Sequence, residues 1–331
     1  MNLRAALIGG PMYDPLYTAL EEFSHSTGIQ VEIAYRGDHP ALNEHLAGLA
    51  TVDYDLVSTH TKYAPSQSAF LASLDSLLTP QELGDFVPQM LNLTRIDGQI
   101  HALPRNVDMR LLHYRSDVVQ RVPVTWDDLL DLARAVNRPP HFYGFLFPGM
   151  ESGLFGKVHE FFRNGHAAMV GDWPGYYGDY CDPNTSAVHD RFAVALYPVG
   201  PKGLSLVYGG SHTFALTRHG ASKPEALELL RFLTAPNRQL LEARHGSVPV
   251  RTSVMKIIQG EAGLAERRRW QALESAMSGV LIPPKFGSYP EVEQVLWKTV
   301  QAAMVGNISV NGALRQITEQ VRSIVVGVHA Q

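Results

Sequence analysis

Cysteine is almost missing from this chain: Cys181 stands alone among 331 residues. No intrachain disulfide can form, and no cysteine-based zinc cluster can be built. Long apolar runs are missing too. None approaches the roughly 20 residues needed to span a bilayer. The N-terminal run at 3–8 is too short for the core of a secretory signal and has no cleavage site after it, so no export signal is read in this chain. An excess of positive charge is also lacking. Lys and Arg number 28 against 32 Asp and Glu, a net charge of -4, and the longest basic run is Arg267-Arg268-Arg269. Nucleic acid is therefore not an expected partner. The arginine triplet lies in a strongly polar helical stretch and reads as a solvated face without a function.

Catalytic signatures are absent as well. His159-Glu160 could open a zinc-protease helix, but the second histidine is replaced by Arg163. The segment Gly209-Gly210-Ser211-His212-Thr213 lacks the closing glycine of a nucleophile elbow. Gly200-Pro201-Lys202-Gly203 lacks the length and ending of a phosphate loop. The 14 histidines are scattered instead of being paired at metal-binding spacing. Neither a metal nor a cofactor is expected, and the chain is not read as an enzyme.

What is present is the composition of a compact globular protein, 45% hydrophobic and 18% charged. The length exceeds what one core serves, so two lobes of roughly 150 residues with a cleft between them are expected. The first sixty residues alternate strand, helix and strand. Residues 3–8 read as a buried strand. Asp14 and Pro15 start a helix whose Leu16, Ala19, Leu20 and Phe23 share a face, and Gly28 ends it. Ile29, Val31 and Ile33 alternate as a second strand, and 54–58 reads as a third. This βαβ order predicts a parallel sheet. Thr79-Pro80-Gln81-Glu82 and Ser222-Lys223-Pro224-Glu225 read as capping boxes, and Thr125 as the cap of a helix carrying Leu129, Leu132, Ala133 and Val136. Strands are predicted at 100–103, 110–114, 167–170, 192–197 and 214–216. The last seventy residues read as helices only.

Several segments, in order, resemble the bacterial extracellular solute-binding proteins of family 1, the class of maltose-binding protein. They are Tyr54-Asp55-Leu56-Val57 with 70–78, Asp97 to Pro104 with His113 to Asp117, and Pro123 to Leu130. Asn164 to Met169, Ser222 to Pro236 and Gly246 to Arg251 complete the set. Arg115 departs from the family's usual Asn, and 126–169 is shorter than the family pattern. The resemblance implies an α/β, two-lobed periplasmic-binding-protein type II fold with the ligand cleft between the lobes. It places the N-terminal lobe at 1–108 plus 206–249 and the C-terminal lobe at 109–205 plus 250–331. The lobes should close about segments near 106–110, 204–207 and 249–252. It further implies the substrate-binding component of an ABC importer, a monomer that hands a small polar solute, a sugar or polyol, to the importer's transmembrane subunits. Such a protein works in the periplasm or outside the cell, held by a lipid anchor.

In open α/β sheets ligands sit beyond the carboxyl ends of the strands. That selects Tyr13, His60, Asn106, Asp108, Trp173, Tyr176 and Ser211, with Tyr177, Gly210 and His212 beside them, and Glu151 and Arg251 complete the candidate ligand set. A sugar offers apolar C–H faces and a rim of hydroxyls, which aromatic rings and bidentate polar groups match. Thr125, Trp126, Ser222 and Pro249 read as fold residues, Trp126 pinning its helix to the lobe. Two rival readings start from the same residues. Tyr176, Tyr177 and Tyr180 could hold ferric iron as phenolates, and Asp108 with Glu151 could serve a glycoside hydrolase as its two carboxylates.

Overall fold

A computed structural model gives the architecture and describes residues 2–10, 13–47, 53–147, 155–282 and 284–328. Two β-sheets, the first packed on one hydrophobic cluster and the second on two, are joined by a short third one. The first sheet has five strands in the order Gln30–Gly37, Asn2–Ile8, Leu56–His60, His212–Leu216 and Leu103–Pro104. The first three run parallel, as the βαβ pattern predicts, and His212–Leu216 runs antiparallel beside Leu56–His60. The helix Asp14–Thr27 buries Leu16, Ala19, Leu20 and Phe23, the face read from the sequence. It stops at Gly28, whose φ of 75° is the left-handed conformation that a residue without Cβ adopts at least cost.

The second sheet has four strands, ordered Phe192–Ala195, Leu111–Arg115, Ala167–Asp172 and Tyr143–Leu146. Thr125 caps the helix Trp126–Val136 through a full capping box with Asp128, and Leu129, Leu132, Ala133 and Val136 pack on Leu112, Ala168 and Met169. Trp126 does not enter that core. It is 45% exposed, and its ring stacks on Tyr197 with centroids 5.7 Å apart. Between this helix and Ala167 the lobe also holds the strand Tyr143–Leu146 and a helix, Phe155–Arg163, neither of which periodicity revealed.

Between the sheets lies a ribbon in which Val207–Gly210 pairs with Asp108–Met109 on one side and Val280–Leu281 on the other. Three chain passages therefore run side by side between the two sheets, and the third, at 280–281, falls in a stretch read as helical throughout. A two-residue strand is too short to show a period. The helices Thr252–Glu261 and Leu264–Met277, assigned to the second lobe from the sequence, bury Val254, Met255, Ile258, Trp270 and Leu273 in the first lobe's core. Helical periodicity shows that a face is buried, but not against which sheet. Beyond the ribbon follow the helices Tyr289–Met304 and Val310–Val328. Among the described residues no helix is long and apolar enough to cross a membrane.

Ser222 does not form the capping box its spacing suggested. Its hydroxyl donates to His219 O, and the helix Pro224–Leu233 starts at Lys223 without a side-chain cap. Lys223 has a different role. Its Nζ lies 2.7 Å from the carboxylate of Asp55, which is 1% exposed and also accepts the Arg4 amide at 2.9 Å. Removing one partner of a buried pair leaves the other charge uncompensated. Lys223→Met should therefore lower the unfolding free energy by about 2 kcal/mol, less than for a fully enclosed pair because the lysine is partly exposed. Urea titration of the two proteins measures the difference, and equal midpoints would show that Asp55 does not depend on Lys223, His219 Nε2 lying 3.6 Å from the same carboxylate.

Candidate functional site

Three parallel strands of the first sheet end at one place, and each delivers a side chain there. Tyr13 follows the strand Asn2–Ile8, His39 opens the helix after Gln30–Gly37, and His60 ends Leu56–His60. Asp38 fixes His39 in place by capping that helix, its carboxylate accepting the Ala41 amide at 2.9 Å. His212 joins them by register, since it pairs directly with His60 across the antiparallel strands. The same chain two residues earlier pairs Gly210 with Asp108. His212 Nε2 consequently lies 2.8 Å from Asp108 Oδ2 and 3.3 Å from the Tyr13 hydroxyl. The rings of His39, His60 and His212 lie 4.8–5.3 Å apart. They line a cavity with Ser58, Thr59 and Tyr63.

Gly210 contributes its lack of a side chain: a Cβ there would fall 2.2 Å from His60 Cε1. Ser211 is fully buried and turned inward, its hydroxyl donating to Asn106 O at 2.5 Å. These two residues hold the site together without facing it. Asn106 places its amide 3.5 Å from Asp108.

On the other side, Trp173 follows the strand Ala167–Asp172, and its amide donates to Asp172 Oδ1 at 2.8 Å. Its ring packs under the Arg110 guanidinium at 4.5 Å and edge-on to Tyr208 at 6.3 Å. Burial lowers the pKa of Arg110, with Tyr197, Asp172 and Tyr208 partly offsetting it. Tyr176 stacks on His159 at 4.0 Å and is near enough to Tyr13 to add to the rise in that phenol's pKa, which burial chiefly causes and Asp108 increases. Tyr177 turns elsewhere, toward Arg269 and Phe192.

The structure thus brings Tyr13, His60, Asn106, Asp108 and His212 together, with Trp173 and Tyr176 in the opposite loop. It does not bring Arg251 there. That guanidinium donates to Thr234 O at 2.9 Å, pairs with Asp85 at 3.3 Å and lies on Phe86, all within the first lobe. Glu151 lies outside the described residues. Of the three tyrosines of the ferric reading, Tyr176 and Tyr180 both pack on the His159 ring, at 4.0 and 4.7 Å, and Tyr180 donates to Asp172, while Tyr177 turns to Arg269. Sequence reasoning missed His39, Tyr63, Arg110 and Tyr208. His39 was within reach of the strand-end rule, because it follows the second parallel strand directly.

Two cations beside the cleft are matched locally. Arg105 Nε holds Glu242 at 2.9 Å, and Lys62 Nζ lies 2.7 Å from Glu293, which also accepts the Tyr63 hydroxyl at 2.9 Å. Several atoms facing this region have no partner among the described residues, namely His39 Nε2, Ser58 Oγ and Asn106 Oδ1.

The family model for the bacterial extracellular solute-binding protein matches residues 12–239, more than half of the chain. This chain belongs to that family. A probable ABC transporter-binding protein of Deinococcus radiodurans is 20% identical to it over 271 residues, 62% of this chain and 64% of the relative. The chain thus spans just under two thirds of that relative's length. Among solved structures, maltose-bound MalE3 of T. maritima has a TM-score of 0.83 and 21% identity, covering 97% of this chain and 99% of its own. A solute-binding protein of Agrobacterium radiobacter K84 in complex with ribitol has a TM-score of 0.80 and 19% identity, covering 98% of both chains. The maltotriose-binding protein of Thermus thermophilus has 0.77 and 16%, over 98% of this chain and 100% of its own. The two-lobed type II fold expected of an extracellular solute-binding protein is the fold found.

Burial holds His39 and His60 well below the ordinary value of 6.5, aided by His212 and Lys62, and holds His113 at about 4 despite the nearby Asp172. These rings are neutral in the folded protein, while the unfolded chain binds protons on them below pH 6.5. Stability is therefore full above pH 6.5 and falls as the pH drops, for His113 down to about 4, where the folded form takes up its proton too. At 1.36 kcal/mol per unit, His113 alone contributes a loss of up to about 3 kcal/mol. Melting temperatures between pH 7.5 and 4.5 should show the decline, and His113→Phe should make it shallower; parallel curves would remove His113 as a cause.

Proposed function

We propose that this chain is the solute-binding component of an ABC importer and that it holds a neutral polyhydroxylated solute, a sugar or polyol, between its lobes. The observation that carries this reading is the unpartnered set His39 Nε2, Ser58 Oγ and Asn106 Oδ1 beside His60, His212 and Asp108, with Trp173 and Tyr208 across from it. Buried polar atoms without partners are costly, and solute hydroxyls would satisfy them. An aromatic face opposite a polar rim suits a sugar ring. Pairing of Arg105 with Glu242 and of Lys62 with Glu293 supports a ligand without net charge. The relatives' bound maltose, maltotriose and ribitol agree in class.

In this reading the first lobe comprises residues to 108 with 208–279, and the second comprises 109–206 with the segment after 280. A solute touching both favours the closed form, and the importer's transmembrane subunits receive that form. The solute leaves unchanged. The work is done in the periplasm or at the outer face of the cell, by one copy of the chain.

A thermal-shift screen of sugars, polyols, sugar phosphates and amino acids tests the class. A true ligand at about 100 times its dissociation constant adds about 2.7 kcal/mol. Stabilisation by phosphates or amino acids, with none by sugars or polyols, would contradict the reading. With the screen's best sugar or polyol, the radius of gyration should fall on binding; an unchanged value at saturation argues against closure.

Trp173→Ala should weaken that binding by about 2 kcal/mol with the unliganded melting temperature nearly intact. Asp108→Asn removes the charged acceptor and should weaken it by roughly 1.5–3 kcal/mol. Calorimetry reads both, and full affinity combined with lower stability would make Asp108 a simple partner of His212.

A further inference from the structure

The arginine triplet that reads as a solvated face is divided by the fold. Arg267 and Arg268 are exposed, while Arg269 is only 2% exposed, at the boundary between the lobes. It precedes Trp270, which is fully buried in the first lobe's core. Its Nη2 donates to Pro174 O at 3.0 Å and to Gly246 O at 3.1 Å, and its guanidinium lies 4.4 Å from the Tyr177 ring and 4.2 Å from that of Trp270. Pro174 and Tyr177 sit in the loop leaving the second sheet, the loop that carries Trp173 and Tyr176. Gly246 sits in the first lobe, between buried Ala243 and Val248.

Among the described residues no carboxylate forms an ion pair with Arg269, so its charge is met by two carbonyls and two aromatic faces. An apolar side chain would fill this space without the cost of burying a charge. The Nη2 amino group, with two N–H donors held in the guanidinium plane, gives something an apolar side chain cannot, a grip on main chain from both lobes at once. Burial lowers its pKa to about 10, so the grip stays charged at neutral pH.

We infer that Arg269 is a positioning residue for the solute: it ties the loop 173–177 to the first lobe and so sets where Trp173 and Tyr176 stand relative to Asp108 and His212. The inference rests on the cleft reading above for its purpose, while the tether is measurable without any solute.

The test is hydrogen exchange and small-angle scattering on the unliganded full chain, comparing Arg269→Met, Arg269→Lys and, as control, Arg268→Met. Loss of charge-assisted hydrogen bonds should speed exchange of the amides at 173 and 175–177 by about tenfold or more. It should also broaden the interlobe distance distribution. The strands Leu56–His60 and His212–Leu216 should keep their protection. Arg269→Lys, with charge but a shorter reach and no planar guanidinium, should fall between wild type and Arg269→Met, and Arg268→Met should match wild type. Wild-type exchange in the loop with unchanged scattering would overturn the tether. So would a uniform rise across both cores without a local excess, which marks an ordinary packing residue. Should Arg269→Met fail to fold, Arg269→Lys decides on the same two readouts. Because no solute is used, failure here leaves the binding reading standing, and failure of the solute screen leaves this result intact.

Discussion

The cleft depends on one continuous stretch of backbone, residues 207 to 216, which serves two sheets in succession. Its first half, Val207–Gly210, lies in the ribbon between the lobes, and its second half, His212–Leu216, lies in the first sheet. Ser211 is the joint. Its amide donates to Thr61 Oγ1 at 3.2 Å and its hydroxyl to Asn106 O, so three separate segments are held at one point. The pairing on either side then has no freedom. Gly210 must oppose Asp108 and His212 must oppose His60, because a slip of one residue would turn each side chain to the other face. The histidine–carboxylate pair and the histidine cluster follow from this register.

The second constraint is electrostatic. A cleft between two lobes removes its lining from water, and an unmatched charge there is expensive. Here two cations beside the cleft have partners of opposite sign drawn from elsewhere in the chain, Glu242 for Arg105 and Glu293 for Lys62, and His212 lies against Asp108. Beside them lie neutral polar atoms without partners among the described residues. His39 Nε2, Ser58 Oγ and Asn106 Oδ1 form a surface suited to hydroxyl groups. Arg269 differs in kind, since its partners are main-chain carbonyls of both lobes, and carbonyls move only when the backbone moves.

Much of the first lobe was legible in the sequence. The βαβ order, the helix face of Leu16, Ala19, Leu20 and Phe23 and the Thr79 capping box, with the Thr125 cap in the second lobe, all came from local spacing, and all occur as read. Of the candidate site, Tyr13, His60, Asn106, Asp108, Trp173 and Tyr176 were reached from strand ends alone. Ser222 misled because cap chemistry fits several local geometries, and Lys223 beside it was claimed by the distant Asp55. Arg251 misled because it adjoins a family-like segment, yet Asp85 and Thr234 hold it within one lobe.

The sequence by itself determined the βαβ core, most of the longer helices and the family they serve, because periodicity, caps and motif order act between residues close in the chain. Tertiary structure alone decided which lobe the helices at 252–277 join, that His39 and His212 meet, and that Arg269 is buried while Arg268 is not. Those outcomes depend on contacts between segments far apart in the chain, such as Arg269 with Pro174, and local periodicity carries no record of such a partner.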